Sequence, residues 1–200
     1  MTEHRESPSQ TAGPYVHIGC TPNFTGIVMY AGDLGASMKT GPVQGTQITL
    51  KGTVFDGTGT ALRDTMVEIW QADAAGLYPS ANEDRGTPDP NFTGWGRAAC
   101  DLTTGEFTFD TVKPGPVPFT DGRMQAPHIT VWIVARGINI GLQTRLYFGD
   151  EAEANATDPI LSTIPDRDRI ATLLAKTESN GIYRFDVHLQ GVHETIFFDI

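Results

Sequence analysis

The sequence is short of cysteine, of positive charge and of long apolar runs, and each shortage removes a class of function. Only two cysteines occur in 200 residues, Cys20 and Cys100. They lie too far apart for the spacing of a metal knuckle or a redox pair, and they read as free thiols of a reducing compartment. Lys+Arg number 14 against Asp+Glu 24, a formal charge of −10. Long-range repulsion at that charge argues against nucleic acid and anionic membranes as partners. It does not forbid a small anion that one local cation can capture. No stretch approaches the roughly eighteen apolar residues of a spanning helix. Met1 to Cys20 also lacks the apolar centre of a signal peptide. The expectation is a cytoplasmic protein.

Recognisable catalytic motifs are missing too. A metal site on a strand wants histidines at i and i+2, so that both leave one face. Here the i+2 neighbour of His128 is Thr130 and that of His188 is Gln190. Gly94-Trp95-Gly96-Arg97-Ala98-Ala99 matches a dinucleotide fingerprint in letters only, because Asp101 to Gly105 then reads as a turn and opens no helix. No phosphate loop, nucleophile elbow or zincin motif occurs.

What is present suits one globular domain. Apolar residues make up 39% of the chain, and a chain of this length buries roughly two thirds of its unfolded surface. Residues 1–45 carry scattered prolines and glycines and no sustained period, so they read as an extended N-terminal arm. From residue 46 to 200 the texture is that of strands. Ile48, Leu50, Thr53 and Phe55 run into the turn Asp56-Gly57-Thr58-Gly59, and Thr65 to Trp70 is a second strand. Residues 74–97 form a long excursion. Gly105 to Val112 alternates, and the prolines of 113–118 leave the sheet. His128 to Arg136 is a near-continuous apolar run, the pattern of a strand covered on both faces. Gly141–Phe148, Tyr183–Gln190 and Thr195–Phe198 complete the strands, and Pro165 to Lys176 reads as one short helix. The fold class expected is all-β: a sandwich with long loops, the N-terminal arm and that short helix.

Arginine is the informative cation. Arg136 ends the apolar strand just before Gly137, where a guanidinium can present its fork to a carboxylate. A structural ion pair with one of the acids is the competing reading. Arg145 and Arg184, inside strands, read as structural, as does His188. His128 reads as a hydrogen-bonded core or interface residue.

Taken together, several strings resemble the intradiol ring-cleavage dioxygenases. They are Pro8 to Tyr15, Glu68 to Tyr78, Asp89-Pro90-Asn91-Phe92, Lys113-Pro114-Gly115-Pro116, Ala126-Pro127-His128 and Thr144 to Phe148, with Ala135 to Asn139 and Tyr183 to Gly191. In that family a catalytic chain holds ferric iron through two tyrosines and two histidines. Tyr78 matches the first tyrosine and His128 the first histidine, but Val117 and Thr130 stand at the other two positions, and Gln125 at that of the catalytic arginine. The resemblance therefore implies a chain with no metal ligand set and no catalytic group of its own. It implies the alpha type of a high-order alpha/beta hetero-oligomer in which the homologous beta chain binds Fe(III).

The substrate-binding residues it implies for this chain are Arg136 with Thr11, Gly13, Pro14 and Tyr15 of the arm, facing the partner's site. The implied reaction is O2-dependent intradiol cleavage of 3,4-dihydroxybenzoate to 3-carboxy-cis,cis-muconate, in the beta-ketoadipate pathway of aromatic catabolism. Two alternatives stay open. One is a scaffold or binding module that has lost the iron site, and the other is a self-sufficient enzyme with irregular ligands.

Overall fold

The computed structural model describes residues 11–13, 15–179 and 181–199. A five-residue helix, α1 (Val16–Cys20), interrupts the arm. The strands then follow in order: β1 (Gln47–Phe55), β2 (Met66–Trp70), β3 (Trp95–Ala99), β4 (Glu106–Val112), β5 (Val117–Pro118), β6 (Met124–Gln125), β7 (His128–Val134) and β8 (Leu142–Phe148). A short helix, α2 (Ala152–Thr157), precedes β9 (Leu174–Ser179), β10 (Ile182–Arg184) and β11 (Val187–His188).

Nine strands form one sheet in the order β11-β1-β10-β9-β8-β7-β2-β3, with β4 paired to the other edge of β1. The sheet folds over on itself where β8 meets β9 in a short parallel contact, Tyr147 opposite Leu174 and Phe148 opposite Ala175. Period-2 patterning explains the core between its halves. Ile48 and Leu50 of β1 and Phe107 and Phe109 of β4 are buried from one side, and Val67, Ile69, Ile129, Val131, Ile133, Leu146 and Phe148 from the other.

The opposite face of β2, β7 and β8 carries Trp70, His128, Thr130, Arg145 and Tyr147. This strand set positions the candidate site. The near-continuous apolar run of β7 thus alternates between the core and a second face on which His128 is buried while Thr130 and Trp132 are only half-buried.

Three segments depart from the patterns of the sequence. Residues 165–176 form a 3-10 helix over Arg167–Leu173 and pass into β9 at Leu174. The stretch 183–190 splits into β10 and β11 because Asp186 turns its carboxylate back to accept the amide of Thr53 at 3.0 Å. Thr195–Phe198 is not a strand; isolated bonds hold it, among them Thr144 Oγ1 to the Ile196 carbonyl (2.7 Å) and the Phe198 amide to the Gln143 carbonyl (2.8 Å).

Candidate functional site

One end of β7 carries a closed cluster. Gln71, fully buried, donates from Nε2 to the Val112 carbonyl (2.9 Å) and accepts from Thr111 Oγ1 (2.8 Å). Asp73, also buried, accepts the amides of Ala75 (2.9 Å), Leu77 (3.0 Å) and Asp89 (2.9 Å). These bonds satisfy the polar groups of a loop that no ladder serves. Gly76 has φ +80°, and a Cβ there would lie 2.2 Å from the Pro116 carbonyl oxygen. Glycine alone lets the loop bearing Tyr78 lie against the segment bearing Val117.

The Tyr78 ring stacks on Trp70 with centroids 5.8 Å apart and planes at 13°. Trp70, Tyr78, Val117 and Phe119 line a cleft of about 440 Å³. Burial pushes the Tyr78 hydroxyl pKa up, against the lowering charge of Arg145 and Arg85. His128 donates from Nδ1 to the Ala126 carbonyl at 2.8 Å, which leaves Nε2 as an acceptor. Burial, reinforced by the charge of Arg145, pushes its pKa down to about 4, so the ring is neutral.

The residues at the four positions where the resemblance puts metal ligands do not fit a ferric ion. Tyr78 and His128 keep a donor atom each, but Val117 is a buried hydrocarbon and Thr130 offers only a neutral hydroxyl. Ferric iron favours hard anionic oxygens. Among the described residues no three His, Cys, Asp or Glu side chains converge as a metal would need.

The other end of β7, roughly 20 Å away along a seven-residue strand, is open. Here the arm meets the turn that follows the strand. Ala12 bridges Arg136 in parallel, Thr11 Oγ1 donates to the Ile138 carbonyl (2.9 Å), and the Gly137 amide donates to Thr11 Oγ1 (2.8 Å). Gly137 makes the turn with φ +89°. Arg136 Nε lies 3.2 Å from Asp64 Oδ2, yet its side chain is 65% exposed. Nε thus faces Asp64 while most of the side chain faces solvent.

The structure thus brings Thr11 together with the Arg136 turn, with Gly13 next along the chain. Tyr15 is 75% exposed, and Pro14 lies outside the described residues. The ion pair weighed for Arg136 exists, with Asp64 largely covered and the arginine exposed.

A family model described as "Dioxygenase" matches residues 21–191 of the chain. The chain belongs to this dioxygenase family. Among its curated relatives, the protocatechuate 3,4-dioxygenase alpha chain of Pseudomonas putida is 45% identical over 197 residues, covering 97% of this chain and 96% of that one. The protocatechuate 3,4-dioxygenase beta chain of Burkholderia cepacia is 35% identical over 165 residues, covering 78% and 69%. Among solved structures, the dioxygenase domain of a dioxygenase–carbohydrate-binding fusion from Streptomyces sp. SirexAA-E superposes with a TM-score of 0.56 at 26% identity, over 80% of this chain and 88% of that one. Among the described residues no helix of this dioxygenase-family chain is long and apolar enough to cross a membrane.

Two participants escaped the sequence reading. Asp64 has no local signal, since it sits in a turn far along the chain from Arg136. Arg145 was legible only as a strand residue on the same face as Tyr147. Nothing in the string tells that its guanidinium reaches Gln125, where Nη1 donates to Oε1 at 2.8 Å.

Proposed function

We propose that this chain is the alpha subunit of a heteromeric intradiol dioxygenase that opens 3,4-dihydroxybenzoate with O2. It completes an active site whose Fe(III) is bound by a homologous beta chain. The observation that carries this reading is the contrast at the two ends of β7. The chain's own ligand positions are broken by Val117 and Thr130, while Arg136 stands exposed beside an arm pinned by Thr11. A guanidinium held this way can take the carboxylate of a small aromatic acid in a charge-assisted bond, worth about 1.5–3 kcal/mol.

In this reading residues 1–45 are the interface arm and 46–200 the dioxygenase sandwich. Gly13, Pro14 and Tyr15 line the shared site with Thr11 and Arg136. The arm also exposes Phe24, Ile27, Val28, Met29, Tyr30 and Leu34. A run of that kind suits coverage by a second chain. The product would be 3-carboxy-cis,cis-muconate, formed in the cytoplasm as part of the beta-ketoadipate pathway. Iron and substrate supply the oxidative chemistry; this chain positions the substrate and neutralises its charge.

The test is to purify the chain alone and again with a homologous beta chain. Tyrosinate-to-iron charge transfer should colour only the mixture, and only the mixture should consume O2 with 3,4-dihydroxybenzoate. A coloured, active lone chain would overturn the reading. A colourless mixture with no activity would favour a scaffold.

A further inference from the structure

The β2–β7 ladder ends where Met66 stands opposite Val134. Two residues further along the same antiparallel register, Asp64 falls opposite Arg136, and there the two side chains meet, Oδ2 lying 3.2 Å from Nε. The carboxylate is the more enclosed member, its side chain 19% exposed against 65% for the arginine. Among the described residues neither group takes part in any other ion pair. Burial pushes the thiol pKa of Cys100 up to about 12, and the Asp64 charge adds to the push. Asp64 therefore stands against the interior of the sheet while the cation it holds stands in solvent.

An ion pair with an exposed member adds little to stability, so the fold gains little from this one. Its consequence is for the arginine. A free arginine side chain samples many rotamers, and a ligand that binds it bears the cost of fixing it. The guanidinium is planar, with one edge formed by Nε and a terminal nitrogen and another by the two terminal nitrogens. Asp64 faces Nε, so the edge of the two terminal nitrogens is the one left for a carboxylate. The backbone beneath is tied separately: Ala12 bridges Arg136, and Thr11 bonds to Gly137 and Ile138. The arm thus holds the main chain of the turn and Asp64 holds the side chain. The negative charge of Asp64 also opposes an anionic ligand, but it acts across the guanidinium and through screening solvent, whereas the orienting contact is direct.

We infer that Asp64 is a positioning residue, which holds Nε of Arg136 and so presents the two terminal nitrogens of the guanidinium to the carboxylate of the substrate. It touches no substrate atom and acts only through Arg136. This inference rests on the proposed reading of Arg136 as the group that meets the carboxylate of 3,4-dihydroxybenzoate. It assigns that preference for a carboxylated catechol to a pair of residues, one in contact with the ligand and one behind it.

The test uses the assembled alpha/beta enzyme, with 3,4-dihydroxybenzoate as substrate and catechol, which lacks the carboxylate, as a competing ligand. D64N should raise KM for 3,4-dihydroxybenzoate by roughly three- to tenfold, keep kcat within about twofold, and leave the Ki of catechol unmoved. In an R136A background, D64N should change KM by less than about twofold. Thermal melting establishes that each variant is folded, and D64S replaces D64N if the asparagine form is not. An unchanged or lowered KM for folded D64N, while R136A alone impairs the enzyme, would overturn the inference and leave the role of Arg136 standing. So would an equal rise in KM and in the Ki of catechol, or a D64N effect that persists without Arg136. Unchanged kinetics for R136A would overturn both readings.

Discussion

The two ends of β7 share a strand and differ in almost every physical respect. At the His128 end the polar groups are paired within the chain. Gln71 and Asp73 serve buried loop backbone, His128 bonds to Ala126, and Arg145 bonds to Gln125. At the Arg136 end the cation is exposed beside a largely covered Asp64, and Thr11 of the arm bonds to the turn that follows. An internally completed cluster contributes to stability and has little left to offer a ligand, whereas an exposed fork contributes little to stability and much to recognition. In the proposed reading, that contrast puts folding at one end and function at the other.

Substitutions that would break this contrast act first on the closed end. The folded pKa of His128 is about 4 against 6.5 for a free imidazole. The unfolded chain therefore binds more protons between those values. The contribution is fully present above pH 6.5 and is lost as pH falls through about 4, a loss of about 3 kcal/mol. His128→Asn, which keeps a donor for Ala126, should flatten that part of the pH dependence of the urea midpoint. An unchanged slope would mean that His128 titrates alike in the folded and unfolded chains.

Gly76→Ala should destabilise by about 2 kcal/mol or more, from the positive φ and the approach of Pro116. The same melts would read it, and a neutral result would mean that the two loops are not pressed together. At the open end, Thr11→Val removes two hydrogen bonds to the Arg136 turn and should cost about 1 kcal/mol or less in stability. Its larger signature should be faster proteolysis of the arm and a raised KM in the assembled enzyme. Normal kinetics with a normal arm would show that the pin is dispensable.

Much of this was legible in the sequence because the governing patterns are local. The alternation of Ile48, Leu50, Phe107 and Phe109 fixes which face of β1 and β4 enters the core. The absence of a second histidine at Thr130 is visible in the string itself. What was not legible depends on distant partners. The 3-10 form of Arg167–Leu173 and the loss of a strand at Thr195–Phe198 follow from how the C-terminal segment meets Thr144 and Gln143 across the fold. Asp64 beside Arg136, and Gln125 beside Arg145, are pairings that only the folded register creates. Thr11 and Arg136 were grouped through a family resemblance, and their meeting rests on side-chain bonds that no periodicity encodes.

The central claim, that function lies at the Arg136 end and not at the Tyr78 end, is tested most directly by paired kinetics in the assembled alpha/beta enzyme. Arg136→Ala should lower kcat/KM for 3,4-dihydroxybenzoate by roughly ten- to a hundredfold through loss of one charge-assisted bond. Tyr78→Phe, which keeps the stack on Trp70, should stay within about twofold of the parent. Unchanged kinetics for Arg136→Ala together with a large loss for Tyr78→Phe would contradict the account.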